Sequence, residues 1–283
     1  MGTRAFLAKR RTIGFWGFIF TMIALSASTT VALDPMGPPV AGMSAGQMQV
    51  GGEYSYSTMD LELGEGRWVE YLDGAFSAAG TAMDFDLKDF KAHRAYVNVG
   101  FGPTDYFDVF VRLGGTEAEF GDSIWLDQED FESSTDVAIG GGLKATFYEN
   151  GPLQIGGLVQ ANWSEYNGTL FASDWLAADH VTIEIAELQA AVGAAFTWAE
   201  RFAIYGGPFL HFVSGDLDDT LSEVDGGTGG LLRSKYSWEI EEDSIFGGYF
   251  GANVNLSENC TFSVEYQLTG AADAVGLSLL WRN

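Results

Sequence analysis

The chain predicts an all-β protein, most simply a closed antiparallel transmembrane β-barrel of ten strands, with eight as the alternative count. Three observations lead there. Apolar and polar residues alternate in runs of about ten, the length of a membrane-crossing strand. The connections between runs alternate between a few residues and long acidic, Gly-rich stretches. Composition agrees: 37 glycines, 14% aromatic residues and only 19% charged residues leave little material for soluble helices.

The unit that sets the pattern is Ala95 to Gly115. Ala95, Val97, Val99 and Phe101 share one parity, and Arg94, Tyr96, Asn98 and Gly100 the other. Phe107, Val109, Val111 and Leu113 repeat this against Asp108, Phe110 and Arg112. Side chains on a strand alternate with period two, so each run has one apolar and one mixed face. Gly102-Pro103-Thr104-Asp105 between them has the chemistry of a tight turn. A hairpin follows.

The same reasoning runs along the chain. The first strand starts near Gln47, with Met48, Val50, Tyr54 and Tyr56 opposite Gln49, Glu53 and Ser55. From Met59 to Asp86 the alternation dissolves and predicts a loop. The central hairpin supplies strands two and three, followed by an acidic loop over 121–136. Val137 to Phe147 and Leu153 to Trp163 form the next pair around Glu149-Asn150-Gly151-Pro152. A loop to about Asp179 precedes a sixth strand whose apolar parity changes, from Ile183 and Ile185 to Leu188, Ala190, Val192 and Phe196. One extra residue near Ala186–Glu187, a β-bulge, would explain the slip. The seventh strand, Phe202 to Phe212, contains Pro208, which cannot donate to a ladder, so a bulge at Gly206-Gly207 is expected to absorb it. A long loop over 215–234 precedes three closing strands: Phe246 to Leu256, Phe262 to Leu268 and Val275 to Trp281.

The N-terminus reads as a secretory signal over residues 1–32. Arg4, Lys9, Arg10 and Arg11 precede an apolar stretch from Ile13 to Ala27, and Ser26-Ala27-Ser28 or Thr30-Val31-Ala32 offers small residues for cleavage. That stretch is short of the ~20 apolar residues that span a bilayer. Residues 33–45, rich in Pro and Gly, read as a flexible periplasmic leader, and 46–283 as the barrel. Without residues 1–32 the chain holds ten Lys and Arg against 39 Asp and Glu, a net charge of −29. That balance argues against a nucleic-acid partner. A single cysteine, Cys260, excludes an internal disulfide, and no CxxC suggests structural zinc.

Period two does not by itself separate a membrane barrel from a soluble one with an apolar cavity. Aromatics at strand ends do: Phe101, Phe107, Phe147, Phe196, Trp198, Phe202, Phe262 and Trp281 are placed as an interfacial girdle. The opposite face carries Glu53, Arg94, Arg112, Lys144 and Glu265, which suits a lumen and not an apolar ligand. An even strand number puts both termini on the short-turn side, the periplasm of a double-membraned bacterium.

With signal, loop asymmetry and a last strand closing on an aromatic, residues from about Gln47 to Asn283 resemble the OmpA/OmpX-type and opacity-type outer-membrane barrels. The resemblance implies insertion into outer-membrane lipid and delivery to the barrel-assembly machinery through the C-terminal strand. Two features depart from that family: Arg282 and Asn283 follow the terminal aromatic, and ten strands replace the usual eight.

Four chemical readings follow. The charges of Glu53, Arg94, Arg112, Lys144 and Glu265 are expected to share one layer of the lumen, where ions need partners. That layer is either a salt-bridge plug or a constriction for small ions. Asp84 and Asp86, with Asp179 and His180, resemble the paired Asp-Asp and Asp-His of omptin-type membrane proteases. Adjacent Asp-His, however, points the two side chains to opposite faces, and no catalytic residue is expected. A Ser–His hydrolase would draw on His93, His180 and His211, of which only His211 is expected to face inward. Asp216, Asp218, Asp219, Glu223 and Asp225, and Asp127, Glu129, Asp130 and Glu132, offer carboxylate oxygens to divalent cations without matching a known loop. The function expected is a structural or small-pore surface barrel without a cofactor. Adhesion through the acidic loops is the alternative.

Overall fold

The computed structural model describes residues 33–120, 131–171, 178–199, 201–224, 227, 229–242 and 245–283. Residues 1–32, read above as a signal, lie outside this set, as do Asp127, Glu129, Asp130 and Asp225 and the side chain of Asp179.

The strands in order are β1 (Met48–Leu72), β2 (Ala75–Thr81), β3 (Phe85–Thr104), β4 (Phe107–Phe120), β5 (Phe131–Glu132), β6 (Asp136–Asn150) and β7 (Leu153–Phe171). Then come β8 (Ala178–Trp198), β9 (Phe202–Val224), β10 (Leu231–Glu242), β11 (Phe246–Asn255), β12 (Cys260–Leu268) and β13 (Ala272–Arg282). Ten of them, β1, β3, β4, β6, β7, β8, β9, β11, β12 and β13, close a ring, each antiparallel to its neighbours. Closure runs through β1, which pairs β3 on one side and β13 on the other. No backbone edge is then left to the hydrocarbon.

The ring narrows above the tip of the β12–β13 hairpin. Met59 of β1 pairs Ala272 of β13, but from Leu61 to Leu72 the partner on that side is β10. Because β10 also pairs β9, it bridges β9 and β1 across the top of the short hairpin. Eight strand positions surround the axis there, with β5 continuing the place of β6 against β4.

Several expected loops are therefore wall. The stretch from Met59 to Asp86 is the upper part of β1, then β2 and the start of β3; 215–234 is largely β9 and β10. The physical reason is an inversion of the two faces along each long strand. On β8, Leu188 and Val192 face out while Glu187 and Gln189 are buried inside. Farther up, Val181, Ile183 and Ile185 are buried inside, and Thr182 and Glu184 lie on the outer face. On β9, Leu210 and Phe212 face out low on the strand, and above them Ser214, Asp216 and Asp218 do so. Where lipid gives way to water, the outward face turns polar and the inward face apolar.

The expected β-bulge at Ala186–Glu187 is accordingly absent. The β7–β8 register runs unbroken from Leu153↔Phe196 to Phe171↔Ala178. The parity change is a change of solvent and not an inserted residue. Nor is there a bulge at Gly206-Gly207. The β9–β11 register passes straight through Pro208↔Gly248, and on the other side the ladder resumes in register from Ala191↔Phe209 to Ala194↔Gly206.

Phe101, Phe107, Phe147, Phe196, Trp198, Phe202, Phe262 and Trp281 all stand beside the short turns, so they form one rim and not two. The opposite limit of the apolar band is marked by Tyr54, Trp163, Phe212 and Phe246, close to where the outward face turns polar.

Candidate functional site

The lumen is occupied by the chain's own N-terminal segment. The residues expected to be a flexible periplasmic leader, 33–45, run inside the barrel without regular secondary structure, bending at Pro39–Val40 and Met43; Leu33 and Asp34 are fully buried, and Met36, Val40 and Met43 nearly so. Proline and glycine suit this path because Pro35, Pro38 and Pro39 have no N–H for a narrow lumen to satisfy, and Gly37 and Gly42 no side chain for it to admit. The composition that reads as disorder in solution reads here as an irregular segment held in place by the wall.

Its backbone is pinned by side chains from the wall. At the short-turn end the Gly46 N–H donates to the Gly102 carbonyl (2.8 Å) and the Ala45 N–H to Asp105 Oδ1 (2.8 Å). Deeper in, the Gly42 N–H donates to Asp108 Oδ2 (2.6 Å) and the Ala41 N–H to Thr146 Oγ1 (3.0 Å). The Met36 and Gly37 N–H groups each donate to one oxygen of Glu265, both at 2.8 Å. Gln160 and Gln267 donate to the Asp34 carbonyl at 3.1 and 2.8 Å. Two glycines of the wall leave room for it: a Cβ at Gly276 would collide with the Pro35 ring, and one at Gly156 with the Pro39 carbonyl.

At the head of the segment, the Asp34 carboxylate accepts from Ser55 Oγ and Tyr96 Oη, each at 3.0 Å, and lies 3.3 Å from Arg94 Nη1 and 4.0 Å from Arg112 Nη2. Each arginine also has a carboxylate on the wall. Arg94 forms a two-pronged pair with Glu187 (2.7 and 2.9 Å) and donates to the Tyr166 hydroxyl. Arg112 reaches Glu53 at 3.2 Å, Asn162 Oδ1 at 2.9 Å and the Pro35 carbonyl at 3.2 Å, with its guanidinium 5.1 Å from the Tyr96 ring centre. Bidentate, charge-assisted bonds of this kind are the strong class of hydrogen bond.

Glu53, Arg94, Arg112, Lys144 and Glu265 differ in what they hold. Arg94, Arg112 and Glu53 gather around Asp34, whereas Glu265 holds the segment's backbone. Lys144 lies over the Phe110 ring (5.8 Å) beside a cavity of about 200 Å³ on the short-turn side of the segment. The sequence reading missed Asp34, Glu187, Tyr96 and Tyr166. Glu187 was hidden by the supposed bulge, and Asp34 by its place in a Pro-Gly segment. Arg282, which breaks the terminal-aromatic pattern, points inward and donates to Gln49, while the Asn283 side chain accepts from the Met48 N–H.

The described members of the other candidate constellations lie apart from one another. Asp86 and His180 are exposed on outer faces of β3 and β8, four places apart in the ring, and Asp86 sits 3.6 Å from Lys88. His93 faces out against Tyr54 and Tyr56, and His211 is buried inside. Asp216 and Asp218 occupy the outer face of β9 and Asp219 the other parity, so the acidic run does not converge. Among the described residues no cluster of three or more His, Cys, Asp or Glu has metal-holding geometry.

The sequence matches no family model and no curated protein. Among solved structures it is similar to the outer-membrane protease OmpT from Escherichia coli, at 11% identity over 83% of this chain and 94% of that one, TM-score 0.38. The translocator domain of the autotransporter NalP from Neisseria meningitidis is 8% identical over 95% of both chains, TM-score 0.41. The outer-membrane protein OprG from Pseudomonas aeruginosa is 14% identical over 74% of this chain and 97% of that one, TM-score 0.37.

Proposed function

We propose that this chain is an outer-membrane surface barrel, non-enzymatic, whose lumen is held shut by its own N-terminal segment and conducts small ions only when that segment withdraws. The observation that carries this reading is the seating of Asp34 between Arg94 and Arg112, with the following backbone pinned from Glu265 down to Asp105. A lumen of about eight strands is just filled by side chains and a wider ring leaves space; here polypeptide takes it. The outward apolar band, with Val192 56% and Val111 64% exposed, is a lipid-facing surface.

Planar-bilayer recording tests the closure. The chain with residues 33–45 is expected to stay silent, and a variant lacking them to conduct in discrete steps. Equal conductance of the two would reject the segment as the closure.

A second reading, display of a binding surface, is favoured by one specific feature. β8, β9 and β10 extend past the lipid band as continuous wall, with Glu184, Asp216, Asp218, Glu239 and Glu241 all outward. A partner for this wall would be basic. Capture of a polycationic peptide by intact cells, lost at high salt, is the corresponding test.

A further inference from the structure

We propose that β2 is a docking edge on the extracellular side, whose free backbone takes up an extended segment of another protein, with apolar and acidic side chains in alternation, as an added strand.

The ladder comes first. Beyond Leu63↔Phe85, β1 exchanges β3 for β2, which pairs it from Arg67↔Thr81 to Leu72↔Ala75. Among the described residues β2 has no strand on its other side. The Ala82 N–H donates to the Gly66 carbonyl at 2.7 Å. Hydrogen-bonded pairs alternate along an antiparallel ladder. Trp68 and Gly80 therefore exchange bonds, as do Glu70 and Ala78, while the N–H and C=O groups of Ala79 and Thr81 point to the free side. Such an edge is a template for a further strand, and proteins blunt it with lysine, proline or a bulge. From Gly74 to Met83 there is neither a charge nor a proline, in a chain with 39 Asp and Glu. The irregularity at Ser77 lies near the hairpin tip and leaves Ala78 to Thr81 in register.

Side chains then set what fits. On the inner face the Trp68 indole lies across Gly80, where a Cβ would stand 2.8 Å from its Nε1. An added strand meets that indole with side chains of one parity, which are accordingly apolar. On the outer face Ala79 and Thr81 are small, and Phe76 is 67% exposed. Behind them stand Arg67, opposite Thr81, and on β10 Lys235 and Arg233, opposite Val69 and Tyr71. Arg67 is paired with Glu65 at 3.3 Å, but both are exposed, and such a pair is weak. The other parity of the added strand is therefore acidic. In strand addition the main chain gives affinity and the alternating side chains give specificity. A second copy of β2 has no carboxylate to offer these cations, so the occupant is a different protein. Its charge preference is the reverse of that of the acidic wall on β8, β9 and β10.

Fluorescence anisotropy of the refolded full chain tests this, with a labelled decapeptide of alternating valine and glutamate as the probe. Saturable binding is expected. It should weaken by roughly tenfold or more when lysine replaces glutamate in the peptide, and likewise in Ala79→Pro. That substitution removes a free-edge N–H and no bond to β1, a position where a strand tolerates proline. Ala79→Ser keeps the N–H and is expected to bind as the unaltered chain does. Arg67→Glu, which leaves the edge intact, should reverse the order of the two peptides. Absence of saturable binding, equal binding by Ala79→Pro, or an unchanged order in Arg67→Glu would each overturn the proposal. A dimer of the unaltered chain that Ala79→Pro abolishes would overturn it too, by giving the edge to a second copy. None of these readouts involves conductance, so the closure of the lumen and the docking edge stand or fall separately.

Discussion

At the scale of single residues, the molecule depends on how each buried charge is partnered. Arg94 holds two carboxylates, Glu187 and Asp34, and both are fully buried. Removing one member of a buried pair costs about 3–5 kcal/mol, because the charge left behind has lost its compensation. Arg94→Met is therefore expected to lower barrel stability by about that amount, read as a lower temperature for the shift from compact to extended migration on a denaturing gel. Arg94→Met combined with Glu187→Leu removes the stranded charge on the wall and is expected to recover more than half of the loss. No recovery would mean that Arg94 acts through Tyr166 and packing. Asp34→Asn leaves the wall pairs intact and unseats the head of the segment, so its expected signature is intermittent conductance with near-normal stability.

At the scale of elements, the parity rule read from sequence holds through the lipid band and misleads above it. The Ala95–Gly115 part of the β3–β4 hairpin was legible because its outward face stays apolar throughout, from Val97 to Leu113. The upper parts of β1, β8, β9 and β10 were not, since their apolar face turns inward once water replaces lipid outside. A reader who assumes one apolar parity per strand sees a loop at 215–234 and a bulge at Ala186 where there is uninterrupted ladder. Asp34 was equally hidden, because nothing local marks a Pro-Gly segment as a ligand for arginines that lie sixty and more residues away. The inversion makes a paired forecast on one strand. Val192→Arg faces the lipid band and is expected to cost about 2–4 kcal/mol, whereas Glu184→Arg, eight residues up the same outer face, is expected to cost at most about 1 kcal/mol. Equal costs would put both positions in the same solvent. On β13, Gly276→Val places side-chain atoms where Pro35 sits. It is expected to release the segment and open the lumen while the barrel still migrates as a folded band, and the freed segment to become sensitive to added protease.

At the scale of the whole molecule, the two charge systems are separate and predict different behaviour with salt. Without residues 33–45 the interior keeps Glu53, Asp108, Glu187 and Glu265 against Arg94, Arg112, Lys144 and Arg282, an even balance, and the exposed Arg201 adds one positive charge at the short-turn mouth. The extracellular wall is uneven, with Glu117, Glu184, Asp216, Asp218, Glu239 and Glu241 facing out. Exposed charges act over a Debye length, which is ~30 Å at 0.01 M salt and ~3 Å at 1 M. The opened barrel is therefore expected to prefer cations at low salt, because the wall concentrates them at the mouth, and to lose that preference at 1 M. Reversal potentials of the shortened variant, measured across a fixed salt ratio at low and high absolute concentration, decide it. Preference that persists at 1 M would place selectivity in the lumen, and substituting Asp216, Asp218, Glu239 and Glu241 with their amides would then leave it unchanged. If the wall is responsible, the same four substitutions bring the low-salt reversal potential most of the way to zero.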